Sequence, residues 1–570
     1  MIDRMTRYSF VLLTEDQDKF LEQLQGLGLV DISRSEKAVD ERSEQMILRI
    51  ENLRGRINDI RSCSDARLRT LQEDEARIER EIAALKPWGR YDRNRLSGLG
   101  LDIHFYSIAR KAYDPQWESQ YALQIVEEDA GHIWFVIIGD NSSLPAKESP
   151  APERTVSEAE AELKALREEI RSHTLALQEA AKDIPELENE LKDAKAGLSR
   201  YAAGLSGNQA VRGHIVIYEG FAPRDAEKEL RPALDSMDCW WTSEAAKADD
   251  EPPIRLRNNR FVRMFEPLTD MYGRPAYDGF DPTPFISIFF LLFFAMCMGD
   301  MGYGMILIAA GILLKKVRSF ASLSPLVVTL GVGTVVVGFF FHTFFSIDIS
   351  QWTCIPDALK KIMVPSQVAG YDGTMVLSLA IGIVHLCLAM IVKTVMATRN
   401  QGFLESLSTW GWTLLIVGGV VLALVALMGV IDAKITKIAV ITLGVICAIG
   451  IFPLNNLHRN PLKNVGSGLW DTYNMATGIL GDVLSYLRLY ALGLAGAMLG
   501  FAFNDLAAMA LGDGGLGWIP FILIVIIGHT LNLAMAALGA FVHPLRLNFL
   551  EFFKNSGYEG VGRKYNPLSK

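Results

Sequence analysis

The sequence predicts an α-helical membrane protein with an α+β cytoplasmic half, and three observations lead to that prediction. The chain of 570 residues is 50% hydrophobic with a mean hydropathy of +0.20, which is too apolar for an ordinary soluble protein. Glu, Lys, Arg and Gln are frequent up to about residue 281, whereas long uncharged runs follow from about residue 284. Two heptad repeats lie in the charged half. We therefore divide the chain into a cytoplasmic strut, residues 1–283, and a transmembrane domain, residues 284–570.

The two heptad repeats predict the arms of an antiparallel coiled-coil hairpin, residues 36–87 and 155–205, because apolar residues alternate three and four positions apart. The first repeat runs through Met46, Ile50, Leu53, Ile57, Ile60 and Ser64, then less regularly Leu71, Ile78 and Leu85. The second runs through Val156, Ala159, Leu163, Leu166, Ile170, His173, Leu177, Ala180, Ile184, Leu187, Leu191, Ala194, Leu198 and Tyr201. Pro185 should bend the second arm. The alternative is an independent coiled-coil dimer.

Two small α/β lobes should close the hairpin at its ends. The distal lobe, residues 88–150, contains the strand-like run GHIWFVIIGD. The proximal lobe combines residues 1–35, with the run RYSFVLL, and residues 206–255, with GHIVIYEGFAP. The predicted shape is a strut, which transmits force or holds a distance.

The second half contains apolar segments that are each long enough to cross a bilayer. They cover about 284–316, 323–346, 374–392, 406–431, 438–454, 467–508 and 517–550. We divide the first segment at GDMGYG, which gives about eight helices. This division puts Lys315 and Lys316 on the side of the N-terminal half, as the positive-inside rule predicts. The alternative is seven spans, with Asp300 capping a kink. The last two segments, of roughly 42 and 40 residues, should be long and tilted.

Several classes of site are not indicated by the sequence. It has no GxxxxGK[ST] loop, no HExxH and no CxxC pair among its six cysteines, and no basic stripe. We therefore expect no nucleotide site, no catalytic residue, no metal, no cofactor and no nucleic-acid partner. The start MIDRMTRYSFVLL has no signal-peptide pattern, so the N-terminal half should be cytoplasmic, and eight spans then put the C-terminus on the same side.

Polar and ionisable residues recur at helical spacing on the last apolar segment. The face consists of His529, Asn532, Ala536, Gly539, His543 and Arg546. Spacings of three and four place these residues on one side of a helix, and polar groups cannot go unsatisfied against lipid. The face should therefore look at another protein surface or an aqueous half-channel. The two histidines are candidate proton relays, and the alternative is that each satisfies a hydrogen bond within the bundle.

Arg488 lies in the middle of the preceding segment, in GDVLSYLRLYALGLAG. Ser485, Arg488, Leu492 and Gly496 share one face, and small residues beyond the arginine allow close helix approach. Because guanidinium stays protonated in a poor dielectric, Arg488 is a fixed cation that could make a passing carboxylate release its proton. It would also block leakage between two half-channels. The alternatives are a structural pairing with Asp482 and a side chain that snorkels along a tilted helix.

The other ionisable residues of the apolar half are assigned structural roles or are left open. Asp300, at the interruption GDMGYG, is expected to be structural rather than ion-carrying, and His342 and His385 are expected to be core residues. Asp482 and Glu551 are kept as structural or ion-path candidates.

Four stretches carry a family resemblance. They are FEPLTDMYGRPAYDGFDPTPF, FFAMCMGDMGYGMIL, GDVLSYLRLYALGLAGAML and GHTLNLAMAALGAFVHPLRLNFLEFF. The sequence resembles the membrane-stator subunit of V-type and A-type rotary ATPases, called subunit a or subunit I. The resemblance covers essentially the whole chain, including VIYEGFAPR in the first half, and the SYLRLYALGLA and HPLRLNFLEFF strings are highly specific.

The resemblance implies a role for each half of the chain. The strut would bind peripheral stalk subunits E and G (or H), and the last two helices would clasp the rotating proteolipid c/K ring, near a central-stalk subunit and surrounded by membrane lipid. Arg488 matches the family's essential arginine and Arg546 its second membrane arginine. Some relatives carry a glutamate where this chain has Ala536. We therefore expect His529, Asn532 and His543 to take the place of that glutamate in the ion path.

The sequence thus predicts a non-catalytic, ion-conducting stator subunit, in a prokaryotic plasma membrane because the chain is compact. A secondary transporter is the first alternative, and it would require an internal repeat and a broken-helix substrate site. A membrane tether is the second, and it would leave Arg488, Arg546 and the histidines without a purpose.

Overall fold

A computed structural model describes residues 1–32, 40–89, 100–139, 144–149, 154–317, 320–349, 356, 363–365, 367–368, 370–429, 432–453, 461–511 and 517–569. The chain divides into two compact units. The first consists of Met1–Thr14, Leu29–Ile32 and Gln209–Pro567, and the second of Glu15–Gly28, Ser33–Asn208 and Leu568–Lys570. The domain limits predicted above stay a prediction.

The strands in the described residues form small sheets. They are β1 Met5–Leu13, β2 Asp31–Ile32, β3 Ile103–Ala109, β4 Leu123–Glu128, β5 His132–Ile138, β6 Asn208–Ala210, β7 Ile215–Pro223, β8 Trp240–Ala245, β9 Thr343–Phe344, β10 Ile347–Asp348, β11 Gln367–Val368 and β12 Tyr371–Asp372.

Helices make up most of the chain. They are α1 Gln17–Leu27, α2 Glu41–Ser62, α3 Ala66–Leu85, α4 Trp117–Gln120, α5 Val156–Ala180, α6 Ile184–Leu205, α7 Glu227–Asp235, α8 Arg260–Arg263, α9 Glu266–Tyr272, α10 Thr283–Met298, α11 Met301–Leu314, α12 Ser324–Phe340, α13 Gly373–Gln401, α14 Leu407–Leu427, α15 Ala433–Ile451, α16 Pro461–Ser485, α17 Leu487–Leu511, α18 Trp518–Arg546 and α19 Phe553–Ser556. A π-helical segment, Leu547–Phe552, joins α18 to α19.

The first unit begins with a sheet in the order β2-β7-β1-β8, and β6 also pairs with β7. β1 and β7, the two strand-like runs assigned to the proximal lobe, are antiparallel, with Phe10 opposite Tyr218. Alternate residues of both strands are buried, among them Tyr8, Phe10 and Tyr218, because successive side chains of a strand point to opposite faces.

The second unit contains the two arms, in which α2 packs against α6 and α3 against α5. Leu53, Ile57 and Ile60, three of the predicted heptad positions, form a buried cluster with Leu187 of α6. Each arm is divided rather than continuous. The first breaks at Cys63, whose φ is 47°, and the second at a short turn, Ala181–Asp183, with Pro185 in the first turn of α6.

Charged contacts join the arms at several levels. Arg154 pairs with Glu81 and Glu162, and its guanidinium lowers the pKa of the Glu81 carboxyl below the ordinary value. Asp40 caps α2 and accepts a hydrogen bond from the Tyr201 hydroxyl, so its pKa is lowered to about 2. Exposed pairs of this kind contribute about 1 kcal/mol or less each.

A three-stranded sheet, in the order β3-β5-β4, lies between the arms in the sequence. Tyr106, Phe135 and Ile137 form its buried core. This sheet includes the GHIWFVIIGD run of the predicted distal lobe, in which β5 is the central strand.

Among the described residues, five helices are long and apolar enough to cross a membrane, and three shorter apolar helices accompany them. The long ones are Gly373–Gln401, Leu407–Leu427, Ala433–Ile451, Asn464–Leu511 and Trp518–Ser556, and the shorter ones are α10, α11 and α12. The interruption between α10 and α11 falls at Gly299 and Asp300, inside GDMGYG. A count of eight spans stays a prediction.

The penultimate segment differs from its prediction in one respect. The sequence predicts one helix over 467–508, but the structure ends α16 at Ser485 and begins α17 at Leu487. The residue between them, Tyr486, is completely buried.

Candidate functional site

Helices α17 and α18 pack along each other, and α10 packs against both. The polar face of α18 therefore meets the small residues of α17 rather than open space. Gly500 of α17 lies at this contact, since a Cβ atom there would lie 3.0 Å from the amide nitrogen of Asn532 and would also overlap the Ser346 hydroxyl. Gly493, another of the small residues beyond the arginine, instead faces the backbone of Met296 on α10.

A polar cluster, defined by Tyr303, Asn504, His529 and Asn532, occupies one end of this contact. The Tyr303 hydroxyl lies 2.8 Å from His529 Nδ1 and accepts a hydrogen bond of 2.9 Å from the Asn532 amide. Asn532, which is buried, donates a second bond of 2.9 Å to the carbonyl of Gly496. Two of the predicted residues, His529 and Asn532, are thus joined through a tyrosine of α11.

The same cluster continues to α17 through the other nitrogen of His529. His529 Nε2 lies 2.9 Å from Asn504 Oδ1, and the Asn504 amide donates to the carbonyl of Phe345 at 2.8 Å. The Tyr303 cluster therefore ties together α11, α17, α18 and the loop that follows α12.

Asp300 holds this loop in place. Its buried carboxylate accepts backbone hydrogen bonds from Gly302 and Tyr303 at 2.7 and 3.2 Å, and from Phe345 and Ser346 at 2.9 and 2.6 Å. Three of these donors, Gly302, Tyr303 and Phe345, bond to Oδ1, and Ser346 bonds to Oδ2. This arrangement favours the structural interpretation of Asp300 over an ion-carrying one.

Arg488, His543 and Arg546 come together further along the two helices. Arg488 and Arg546 both lie near enough to His543 to act on it electrostatically. Arg488 Nη1 and His543 Nδ1 are buried, and neither has a hydrogen-bond partner among the described residues. Arg546 is exposed. Neither arginine forms an ion pair with an acidic side chain in the part of the chain that the structure describes.

A second cluster, defined by Asp482, Glu551 and Asn555, lies beyond these cations. Asp482 accepts a hydrogen bond of 2.7 Å from Asn555 and lies 3.7 Å from the ammonium of Lys554. Asp482 is thus engaged by α19 and not by Arg488, which argues against the structural pairing considered above. Glu551, on the π-helical segment, is buried, and its Oε2 has no partner among the described residues.

Among the described residues, the Ser485 hydroxyl makes no hydrogen bond to Arg488. The hydroxyl instead donates to the carbonyl of Gly481 in its own helix at 3.0 Å. Of the predicted core histidines, His385 is fully buried, and His342 has a buried Nδ1 without a partner among the described residues.

Tyr303 and Asn504 were not among the predicted site residues. Asn504 lies 16 residues beyond Arg488, about 160° around an ideal helix at 3.6 residues per turn, so periodicity from the arginine face does not indicate it. Tyr303 lies in GDMGYG, next to Asp300, but nothing in the spacing indicates that its partner is 226 residues away.

Comparisons with known proteins agree with this architecture. A family model described as the V-type ATPase 116kDa subunit family matches residues 143–324. The A-type ATP synthase subunit I of Methanocaldococcus jannaschii is 31% identical over 458 residues, covering 73% of this chain and 64% of the relative. That of Pyrococcus horikoshii is 29% identical, covering 76% of this chain and again 64% of the relative. The chain thus spans less than two thirds of these two relatives.

One further relative matches the whole chain, and one solved structure matches part of it. The V-type ATP synthase subunit I 1 of Treponema pallidum is 25% identical and covers 100% of both chains. Among solved structures, the crystal structure of the cytoplasmic N-terminal domain of subunit I, homolog of subunit a, of V-ATPase covers 42% of this chain and 100% of its own. Its identity is 15% and its TM-score 0.21, too low for an argument about the fold.

The long apolar helices and these matches define the class of the chain as an integral membrane protein. It belongs to the subunit I family of A-type and V-type ATP synthases.

Proposed function

We propose that the chain is the membrane stator subunit of a V/A-type rotary ATPase and forms ion half-channels against a rotating proteolipid ring. The observation that carries the proposal is the Arg488 guanidinium. It lies within a membrane-length helical segment, its Nη1 is buried, and it has no acidic partner among the described residues. A cation in that position is costly unless a carboxylate from elsewhere compensates it.

A ring carboxylate would supply that charge in passing. Arginine suits this role because its guanidinium does not give up its proton in a poor dielectric, whereas a desolvated lysine does. A carboxylate that reaches Arg488 is therefore favoured in its ionised form and releases its proton. Arg546, which acts on the same histidine as Arg488, keeps the local field positive and opposes direct passage of a cation.

The two polar clusters lie on either side of these cations along the helices. His529 and His543 are separated by roughly 21 Å along α18 at 1.5 Å per residue, and Glu551 lies further in the same direction. We assign the Tyr303 cluster to one half-channel and the Glu551 cluster to the other. An ion entering by one and leaving by the other must ride the ring past Arg488, which couples ion movement to rotation.

The remaining assignments rest on the family. We propose that the strut anchors peripheral stalk subunits E and G (or H), and that the central stalk carries rotation to ATP hydrolysis or synthesis on other subunits. The N-terminal half and the C-terminus would be cytoplasmic, in a prokaryotic plasma membrane.

The test compares assembled complexes carrying Arg488→Gln with the native chain in sealed vesicles. ATP-driven ion uptake should fall to background in Arg488→Gln, because the ring carboxylate loses its fixed counter-charge, while the amount of assembled complex stays unchanged. Arg399→Gln is the matched control, since Arg399 is exposed near the end of another apolar helix, α13, and it should transport normally. An assembled Arg488→Gln complex that transports at the native rate would refute the proposal.

A further inference from the structure

The break between α16 and α17 falls two residues before Arg488. Tyr486 N bonds to the carbonyl of Val483 at 3.1 Å and Leu489 N to the carbonyl of Tyr486 at 3.1 Å, so the chain tightens here from the four-residue to the three-residue pattern. A continuous helix would fix the rotation of α17 through its own backbone. Because the helix is interrupted, that rotation depends on what holds Tyr486.

Tyr486 is held from one side by α13. A Cβ atom at Gly382 would overlap the Tyr486 ring, so only glycine lets the ring lie against the α13 backbone. The Tyr486 hydroxyl lies 3.0 Å from His385 Nδ1, one turn along α13. Phe293 of α10 meets the Tyr486 ring edge-on, with centroids 5.8 Å apart.

His385 is itself clamped. Its ring stacks on Phe289 of α10 with centroids 4.1 Å apart, and on Phe552 of the π-helical segment with centroids 4.7 Å apart and planes 4° apart. Phe552 follows Arg546 by less than two turns of helix. One imidazole therefore contacts both the break beside Arg488 and the segment that follows the second arginine.

Packing alone does not account for this pair of polar side chains. Both residues are 0% exposed, and among the described residues His385 Nε2 has no hydrogen-bond partner. Burying incompletely satisfied polar groups has a cost, and phenylalanine at either position would retain an aromatic ring in the cavity. A hydrogen bond, unlike apolar contact, fixes direction, since it weakens steeply when its angle changes.

We propose that the His385–Tyr486 hydrogen bond is a positioning brace that fixes the rotation of α17 and so aims Arg488 at the polar face of α18. The inference rests on the proposed function, because aiming Arg488 matters only if the arginine serves ion transport. His385 and Tyr486 are positioning residues in it, and neither touches the transported ion.

The experiment uses assembled complexes in sealed vesicles with Tyr486→Phe, His385→Phe and the double variant. Each single variant should lower the number of ions taken up per ATP hydrolysed by about fivefold, the factor expected for losing one hydrogen bond, while the amount of assembled complex stays unchanged. The double variant should be no worse than either single one, because the two side chains act as one unit. Tyr490→Phe is the matched control, since Tyr490 is also two residues from Arg488 and its hydroxyl bonds to no described residue; it should behave as native.

Three results would overturn the brace. They are native coupling in Tyr486→Phe, additive losses in the double variant, or losses that follow only the amount of assembled complex. Tyr486→Phe removes a single oxygen atom. If His385→Phe does not assemble, Tyr486→Phe alone therefore tests whether the hydrogen bond positions Arg488. Arg488→Gln in the same preparations separates the two proposals. If Arg488→Gln transports normally, the proposed function is refuted. If Arg488→Gln is inactive and Tyr486→Phe behaves as native, only the proposal of the brace is refuted.

Discussion

At the scale of single residues, the side-chain amide of Asn504 decides which nitrogen of His529 carries the hydrogen. The Asn504 amide nitrogen faces the carbonyl of Phe345, which can only accept, so Asn504 Oδ1 must face His529. His529 Nε2 therefore donates to that oxygen, and the neutral ring accepts at Nδ1 from the Tyr303 hydroxyl. The hydrogen bonds from Asn532 through Tyr303 and His529 to Asn504 thus all run in one direction.

The first prediction concerns the tyrosine in this chain of bonds. Tyr303→Phe leaves the shape of the ring but removes the only link between Asn532 and His529 Nδ1 that the described residues provide. We expect ATP-driven ion uptake to fall by about five- to 25-fold, which corresponds to the loss of one to two hydrogen bonds at about fivefold each. The measurement is uptake by sealed vesicles, with Tyr490→Phe as the control. Native uptake in Tyr303→Phe would show that this cluster lies outside the ion path.

Sequence reasoning reached part of this cluster. The spacing on one helix places His529 and Asn532 on a common face, because periodicity is a property of the helix itself. The same reasoning cannot indicate which other helix faces them, since Tyr303 and Asn504 come from segments far away in the chain. Conversely, Asp482 was considered as a partner for Arg488 because it is close in sequence, but a residue of α19 engages it instead.

At the scale of elements, the short helices α11 and α12 are joined through their glycines. A Cβ atom at Gly338 of α12 would overlap the backbone nitrogen of Met301. Gly304 of α11 and Gly331 of α12 make similarly close backbone approaches. In lipid, where apolar side chains gain little by leaving solvent, such close backbone packing is a main source of helix association.

The second prediction tests this packing. Gly338→Ala should separate α11 from α12, since the new methyl group meets backbone that cannot move aside, and should destabilise the chain by about 1–3 kcal/mol. The measurement is the melting temperature and yield of the purified chain in detergent. Gly419→Ala, on α14, has nothing within 4 Å of the added methyl group and should be neutral. Equal stability of the two variants would contradict this account of the helix pair.

The element boundaries differ in how well sequence can indicate them. The interruption at Gly299 and Asp300 was predictable because glycines and a capping carboxylate weaken a helix locally. The break at Tyr486 was not, because SYLRLYAL contains no helix-breaking residue. The residues that contact Tyr486 at the break, Gly382 and His385, come from α13, and no local pattern indicates them.

At the scale of the whole molecule, the number of spans depends on whether α10 and α11 cross the membrane separately. Both are shorter than the ~20 residues that a perpendicular span needs. If they cross separately, Lys316 lies on the same side as the N-terminal half. If they cross as one broken helix, it lies on the opposite side.

The third prediction is therefore a topology. In a chain freed of its native cysteines, Lys316→Cys should react with a membrane-impermeant thiol reagent from the same side as Val211→Cys, which marks the N-terminal half with a side chain 66% exposed. The measurement is labelling of intact vesicles of known orientation. Labelling of the two cysteines from opposite sides would establish seven spans instead of eight.

The divided arms of the second unit also have a mechanical consequence. Ala180 and Ile184, which flank the break in one arm, pack against the buried cluster of Leu53, Ile57, Ile60 and Leu187, and Ile60 lies three residues before the break in the other arm. Near this level no unbroken ladder of backbone hydrogen bonds runs along either arm, so local stiffness depends on a few apolar side chains. Such a joint bends more readily than the helices beside it. An elastic element of this kind would store strain while a rotor turns against a load and return it smoothly when the load is released.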